Sequence, residues 1–327
     1  MPLLANGVKK PIVIGADVGG TKIAAALVDS QGQLMGYQTR RTDVSSSEAT
    51  LDYIAEIINQ VISKGGVPRK EIRGVGLGIP GLVDPERGIG LASVNLQWKN
   101  VGVTKELEKR VGIPCVIEND VKAAALGEVR FGVGQGVSNL VYVNIGTGVA
   151  AAIVIDRKIF RGQNGMAGEI GHAVIDINGP DCKCGGHGCL EAIVSGPAIV
   201  ARAKSKIELD RSSQLSKLLN DKIELTSQDI YNAAHNGDIV ALETVHEVSR
   251  FLAIAIQFLS LAYDPQMIVL GGGVVHSSDD FLKYLLGSIN QLADASWVFR
   301  QLLTPDFVQV TKLGSNIGIL GAAALVS

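Results

Sequence analysis

The sequence predicts an α/β protein in which one architecture is built twice, and three observations carry that prediction. Short apolar runs bounded by glycines alternate with longer helical stretches. DVGGTKIAAALV at 17–28 returns, with one residue deleted, as NIGTGVAAAIV at 144–154, so that Gly19 aligns with Gly146, Thr21 with Thr147 and three alanines with three alanines. No low-complexity linker separates the copies. Self-similarity about 126 residues apart indicates a duplicated domain rather than a short-period solenoid.

In chain order, 11–17 and 23–28 are apolar runs that pair as a hairpin across GGTK. Further strands are expected at 33–40, 72–78 and 114–118, with helices at 46–63 and 104–110. VIEND closes a strand and DVKAAALGEVRFG opens a helix, so the join is placed there. This gives an N-terminal α/β domain over 1–119 and a larger C-terminal one over 120–314, with a terminal helix, 315–327, returning to the first. In the second copy, helices at 239–263 and 278–291 flank the strand QMIVL. The halves are expected to meet at a cleft.

Composition narrows the function. A chain of 327 residues that is 46% hydrophobic and 19% charged builds a substantial core, and its net charge of -2 provides no basic footprint for nucleic acid or acidic lipid. A small-molecule partner is favoured. MPLLANGVKK lacks the pattern of an export signal, and FLAIAIQFLSLAY at 251–263 is too short to span a bilayer and reads as a buried helix. A cytoplasmic location is expected. Cys115 stands alone in PCVIE as a buried thiol, whereas the three clustered cysteines favour metal over disulfide in a reducing compartment.

Three glycine-rich turns suit phosphate, because successive main-chain N–H groups can point at its oxygens where no side chain intervenes. They are Gly19 and Gly20 in DVGGTK, Gly146, Thr147 and Gly148 in NIGTG, and Gly271, Gly272 and Gly273 after QMIVL. Each alone is more often simply a turn or a helix-packing site; together, at strand ends of a duplicated α/β chain, they indicate a nucleotide. Asp17 offers an oxygen ligand for Mg²⁺, Thr21 a hydroxyl and Lys22 a point charge. In VIEND, Asn and Asp are both leading helix N-caps, and Asp120 at the start of a helix is also placed to take a proton from a hydroxyl. Asn95, Glu169 and Glu191 are polar residues in apolar or glycine-rich settings, suited to a polyol.

Cys182, Cys184 and Cys189 follow C-x-C-x4-C, with His172 ten positions upstream. Three cysteinates and an imidazole make a closed tetrahedral zinc site, structural rather than catalytic. His187, between the cysteines, is the rival fourth ligand. If His172 binds the metal through one ring nitrogen, the other becomes a directed N–H donor for a substrate hydroxyl. Glu169, three residues earlier on one helical turn, and Glu191, two residues past the last cysteine, would then be presented with it.

The set DVGGTK, GIPGLVD, NLQW, END, NIGTG, EIGH and CKCGGHGCLE resembles the ROK family (repressor, open reading frame, kinase), nearest its ATP-dependent glucokinase branch, over essentially the whole chain. The resemblance implies an actin-like ATPase (ribonuclease H-like) fold of two duplicated domains, and transfer of a phosphoryl group from MgATP to the 6-hydroxyl of a hexose. It implies Asp120 as catalytic base, with Asn95, Asn119, Asp120, Glu169, His172, Glu191 and the backbone of Gly81 on the sugar. It also makes the three glycine turns the phosphate and nucleotide loops, and His172, Cys182, Cys184 and Cys189 the zinc ligands. Relatives use mannose, fructose, allose or N-acetylated amino sugars such as N-acetylglucosamine and N-acetylmannosamine, and assemble as homo-oligomers, dimers or tetramers. Some members are sugar-responsive repressors with a helix-turn-helix ahead of this domain; about ten residues before the first strand are too few for that motif.

Overall fold

The computed structural model describes residues 11–209, 213–221 and 224–326. The opening stretch 1–10, read above for an export signal, and Ser327, the last residue of the expected terminal helix, lie outside the described residues. The chain divides into two compact units, one of residues 1–138, 152–167 and 311–327, the other of 139–151 and 168–310.

The chain opens with β1 (Ile12–Val18), β2 (Lys22–Val28), β3 (Leu34–Arg41) and α1 (Ser47–Gly65). There follow β4 (Ile72–Ile79), β5 (Leu82–Asp84), β6 (Ile89–Ser93), β7 (Trp98–Gly102), α2 (Val103–Val111), β8 (Cys115–Asn119) and α3 (Asp120–Phe131). Then come β9 (Leu140–Ile145), β10 (Val149–Ile155), β11 (Lys158–Phe160), α4 (Glu191–Val194), α5 (Gly196–Leu209), α6 (Gln214–Asp221), α7 (Ser227–His235) and α8 (Ile239–Tyr263). The chain closes with β12 (Met267–Gly271), α9 (Phe281–Ala295), α10 (Trp297–Leu302), β13 (Val308–Val310) and α11 (Ile317–Ala324).

One sheet runs in the order β3-β2-β1-β4-β8 and the other β11-β10-β9-β12-β13, so each reads third, second, first, fourth, fifth in order of appearance. The duplication seen in the sequence is thus a duplication of topology. In the first sheet β1 pairs antiparallel with β2 and parallel with β4, and β4 pairs parallel with β8. In the second, β12 pairs parallel with both β9 and β13.

The first sheet is buried on both faces, by the two-residue alternation of its strands. Ile14, Ala16, Ile23, Ala25 and Leu27 join a core with Leu51, Ile54 and Ile58 of α1 and Leu107 of α2. Val13, Ala24, Ala26 and Val28 pack instead on Ile319, Leu320 and Ala323 of α11. That second face is unusually close. A β-carbon on Gly15 would overlap the carbonyl oxygen of Ile319, and one on Gly76 that of Ala322. Helix α1 shows why such segments form helices: Leu51, Ile54, Ile58, Val61 and Ile62 repeat at helical spacing, the Ser46 side chain caps the start, and Gly66 ends it at φ 64°.

The expected strands and helices of the first copy are found within two residues of their read boundaries, as is the helix at 239–263. The helix read at 278–291 begins later, at Phe281, because Ser278 takes extended backbone and its hydroxyl accepts from the Asp280 N–H. The small sheet β5-β6-β7 and helices α5, α6 and α7 were not expected. Each strand of that sheet is three to five residues long, too short for periodicity to register. Among the described residues, no helix is long and apolar enough to cross a membrane. Burial pushes the Cys115 thiol up to about 12, with the Glu108 carboxylate adding to it, so this cysteine stays protonated.

Candidate functional site

In the first unit the β1–β2 turn carries DVGGTK. Gly19 N–H donates to the Lys22 carbonyl at 2.9 Å, and Thr42 closes the turn from outside by donating its hydroxyl to the Gly19 carbonyl at 2.6 Å. Gly20 is required at its position, since a β-carbon there would stand 2.6 Å from the Asn95 carbonyl oxygen. That contact brings the glycine turn against the turn bearing Asn95, which Leu96 and Trp98 anchor by burial. Thr21, Lys22 and Asn95 are exposed. Burial, and next the Asp120 carboxylate, hold the Asp17 carboxyl up at about 6 against the opposing pull of Lys22. A cation beside the carboxylate would offset that rise.

The END tripeptide sits where β8 becomes α3. The capping role falls on Asn119, whose Oδ1 accepts from the N–H groups of Val121 at 3.0 Å and Lys122 at 3.1 Å. Asp120 is the first helical residue, and its own Oδ1 accepts from Val121 N–H at 2.9 Å. Asn119 Nδ2 donates to the Gly81 carbonyl at 3.1 Å, and only glycine suits position 81, where φ is 99° and the Ala92 carbonyl oxygen occupies the space of a side chain. Gly81, Asn119 and Asp120 are therefore one constellation, and with Asp17 and Asp120 electrostatically coupled it extends to the β1–β2 turn.

In the second unit the glycine turns NIGTG and GGG follow β9 and β12, which are adjacent parallel strands with Gly271 opposite Asn144. Gly272, at φ 95°, lies on the Ile145 carbonyl, and Val274 N–H donates to that same oxygen at 3.0 Å. A cleft of about 460 Å³ opens beside them, lined by Gly146, Thr147 and Gly273. Gly148, Gly271 and Gly272 shape the turns without lining it. Sequence reading missed the rest of the lining: Gly196, Pro197, the 226–228 segment, Val274, His276 and Ser277. One signal was present, since Thr226-x-x-Asp229 forms a capping box at the start of α7.

His172, Cys182, Cys184 and Cys189 bring four ligand atoms within 4.8 Å of one another. Cys184 Sγ lies 3.8 Å from Cys189 Sγ, and His172 Nδ1 lies 3.8 Å from Cys182 Sγ. A tetrahedral zinc with bonds of about 2.3 Å to sulfur spaces its thiolates by about 3.8 Å, so the residues fit the ion. His187 is outside the cluster: its Nδ1 is 2.8 Å from Asp181 Oδ1. The loop closes on itself through Leu190 N–H to the Ala173 carbonyl at 2.9 Å and Gly188 N–H to the Pro180 carbonyl at 2.8 Å.

This loop is pinned to the start of β10. Glu169 and His172 share one tight helical turn, with Glu169 at its N-cap, and both are exposed. Gly171 in that turn lies on the Val149 carbonyl, and the Gly168 carbonyl accepts from Ala151 N–H at 2.7 Å. Glu191 begins α4, and its Oε2 accepts from Val149 N–H at 3.0 Å, filling the space a side chain on Gly148 would need. One oxygen of Glu191 is thus engaged with the NIGTG strand, a tie that sequence reading did not foresee.

Comparison with known proteins gives the same outline. The chain is 34% identical over 315 residues to the glucokinase of Halalkalibacterium halodurans, covering 96% of this chain and 94% of that one. The structure superposes on a ROK family glucokinase from Streptomyces griseus, solved in complex with glucose and AMPPNP, with a TM-score of 0.79 at 32% identity over 96% and 98% of the two chains. It is also 29% identical over 313 residues to the xylose repressor of Bacillus subtilis, covering 96% of this chain and 76% of the repressor. The ROK family model matches residues 13–327. With its actin-like ATPase fold, the chain belongs to the ROK family.

Proposed function

We propose that the protein is an ATP-dependent hexose kinase that transfers the γ-phosphoryl group of ATP to the 6-hydroxyl of glucose. The observation that carries this reading is the likeness to the S. griseus glucokinase, whose complex holds glucose and AMPPNP, over 96% of this chain. The local geometry supports it. Asp120, held at the first turn of α3 beside the Asn119 cap, is the general base that takes the hydroxyl proton as the oxygen attacks the γ-phosphorus. By the family motifs that carry them, Asn95, Asn119, Glu169, His172, Glu191 and the Gly81 backbone are assigned to sugar hydroxyls. Main-chain N–H groups of the three glycine turns, with Thr21 and Lys22, cradle the phosphates. When bound at Asp17, Mg²⁺ neutralises phosphate oxygens. The zinc ligands hold the turn bearing Glu169 and His172 in register, and His172 Nε2–H donates to the sugar.

A coupled assay with MgATP over glucose, mannose, fructose, allose, N-acetylglucosamine and N-acetylmannosamine tests the reading. Glucose is expected to give the highest kcat/KM, and turnover on none of the six overturns it. Asp120→Asn is expected to lower kcat by about a thousandfold while calorimetry shows glucose affinity changed by less than about threefold. The likeness to the xylose repressor favours a second reading, a sugar-binding regulator, for which glucose binding without phosphorylation is the expected outcome.

A further inference from the structure

Glu118 precedes the Asn119–Asp120 pair and is only 1% exposed. A carboxylate so placed is costly unless paired and hydrogen-bonded. Arg161, from the loop after β11, supplies both needs, setting Nε at 2.8 Å and Nη2 at 2.6 Å from Glu118 Oε2. The other oxygen, Oε1, accepts from Asn119 N–H at 2.9 Å. Two positions further on, Lys122 is 4% exposed and donates from Nζ to the Gly165 carbonyl at 2.7 Å. Both ties end on one short loop, 161–167, which closes through Ala167 N–H to the Arg161 carbonyl at 3.0 Å and turns on two glycines, Gly162 and Gly165, each at φ 71°.

The loop therefore clamps the END tripeptide from two sides, at its own glutamate and at the second residue after it. An apolar pair would hold the fold as well as a buried ion pair, because desolvation offsets most of the Coulomb attraction. What the guanidinium adds is direction. Its fork fixes the Glu118 carboxylate, the carboxylate fixes the Asn119 amide, and Asn119 in turn caps α3 and donates to the Gly81 carbonyl. Asp120 has its backbone at the end of that relay.

We propose that Arg161 and Lys122 are positioning residues for the phosphoryl transfer, fastening the 161–167 loop to the β8–α3 junction so that Asp120 is held in its reactive orientation. The proposal rests on Asp120 being the base. A displaced base costs turnover steeply, since a misplacement of about 1 Å is worth up to about a hundredfold.

The test compares Arg161→Met, Arg161→Lys, Lys122→Met and the double variant Arg161→Met with Glu118→Gln, each as the full chain with glucose and MgATP. Arg161→Met is expected to lower kcat by about tenfold to a hundredfold with the KM for ATP changed by less than about twofold. Arg161→Lys restores part of the loss, and the double variant is no worse than Arg161→Met, because the amide keeps an acceptor for Asn119 N–H and removes the carboxylate that Arg161→Met leaves unpaired. Hydrogen exchange read by mass spectrometry on residues 117–124 rises in Arg161→Met and less in Arg161→Lys. Unchanged kcat in folded Arg161→Met, or a larger loss in the double variant than in Arg161→Met, overturns the proposal. If Arg161→Met does not fold, Lys122→Met, which leaves Glu118 paired, carries the same kcat and exchange tests. A parent chain inactive on every hexose defeats the kinase reading alone; the clamp then stands or falls on whether exchange in 117–124 responds to Arg161→Met.

Discussion

At the scale of single residues, chemistry and capping are divided between neighbours. VIEND offers two residues suited to the same helix cap, and the structure gives the cap to Asn119, while Asp120 accepts from the Val121 N–H. The same division is seen between His172, turned to the cysteines, and His187, turned to Asp181. Sequence spacing left both choices open, because C-x-C-x4-C brings either imidazole within reach. Cys184, an exposed member of the cluster, tests the organising role of the metal. Cys184→Ser is expected to lower bound zinc from about one per chain to well below it, and to weaken glucose binding about tenfold through the turn carrying Glu169 and His172. Metal analysis and calorimetry check the two effects; glucose affinity unchanged in zinc-free protein would show that the turn stands without the ion.

At the scale of elements, small residues decide how closely helices approach the first sheet. Gly15 and Gly76 lie under α11, and Gly127 of α3 faces Gly321 of α11, so backbones meet where side chains would hold them apart. The same helix reaches Asp17, since a β-carbon on Gly318 would stand 2.4 Å from its carboxyl. Gly76→Ala would drive a methyl group into the Ala322 carbonyl, backbone that cannot rotate away. It is expected to cost about 3 kcal/mol and to lower the thermal midpoint by several degrees, as calorimetry would record. A midpoint within a degree of the parent would mean that α11 is free to shift. The first sheet, β12 and the helices of the first copy were legible in the sequence because each repeats its apolar residues over five or more positions; β11 and β13, three residues each, were not. The β5-β6-β7 sheet and the cleft lining at 226–228 were not, since neither has a period long enough to stand out.

At the scale of the whole chain, buried polar ties join segments remote in sequence. Glu128 of α3 is fully buried and accepts from the Thr311 hydroxyl, 183 residues away, and from Val133 N–H at 3.0 Å. Burial raises its pKa, against the smaller lowering effects of those two donors. A carboxyl raised on folding favours the protonated native state. Its contribution is fully present below the unfolded pKa and is lost as pH rises through the folded one. Glu128→Gln removes that titration while keeping an acceptor. The thermal midpoint of the variant minus that of the parent is therefore expected to increase from about pH 4 to neutral pH, where a flat difference would place Glu128 in an ordinary environment.

The amino-acid sequence by itself determined the α/β class, the duplication, the cysteine cluster and the glycine turns, because these are written in local periodicity, repeated motifs and close spacing. Tertiary structure alone decided which imidazole joins the cysteines and that Glu191 binds Val149. It also decided that a loop about forty residues on grips this junction, with Arg161 on Glu118 and the Gly165 carbonyl on Lys122. Such contacts depend on which strands become neighbours, and pairing between distant segments leaves no trace in the periodicity of either one.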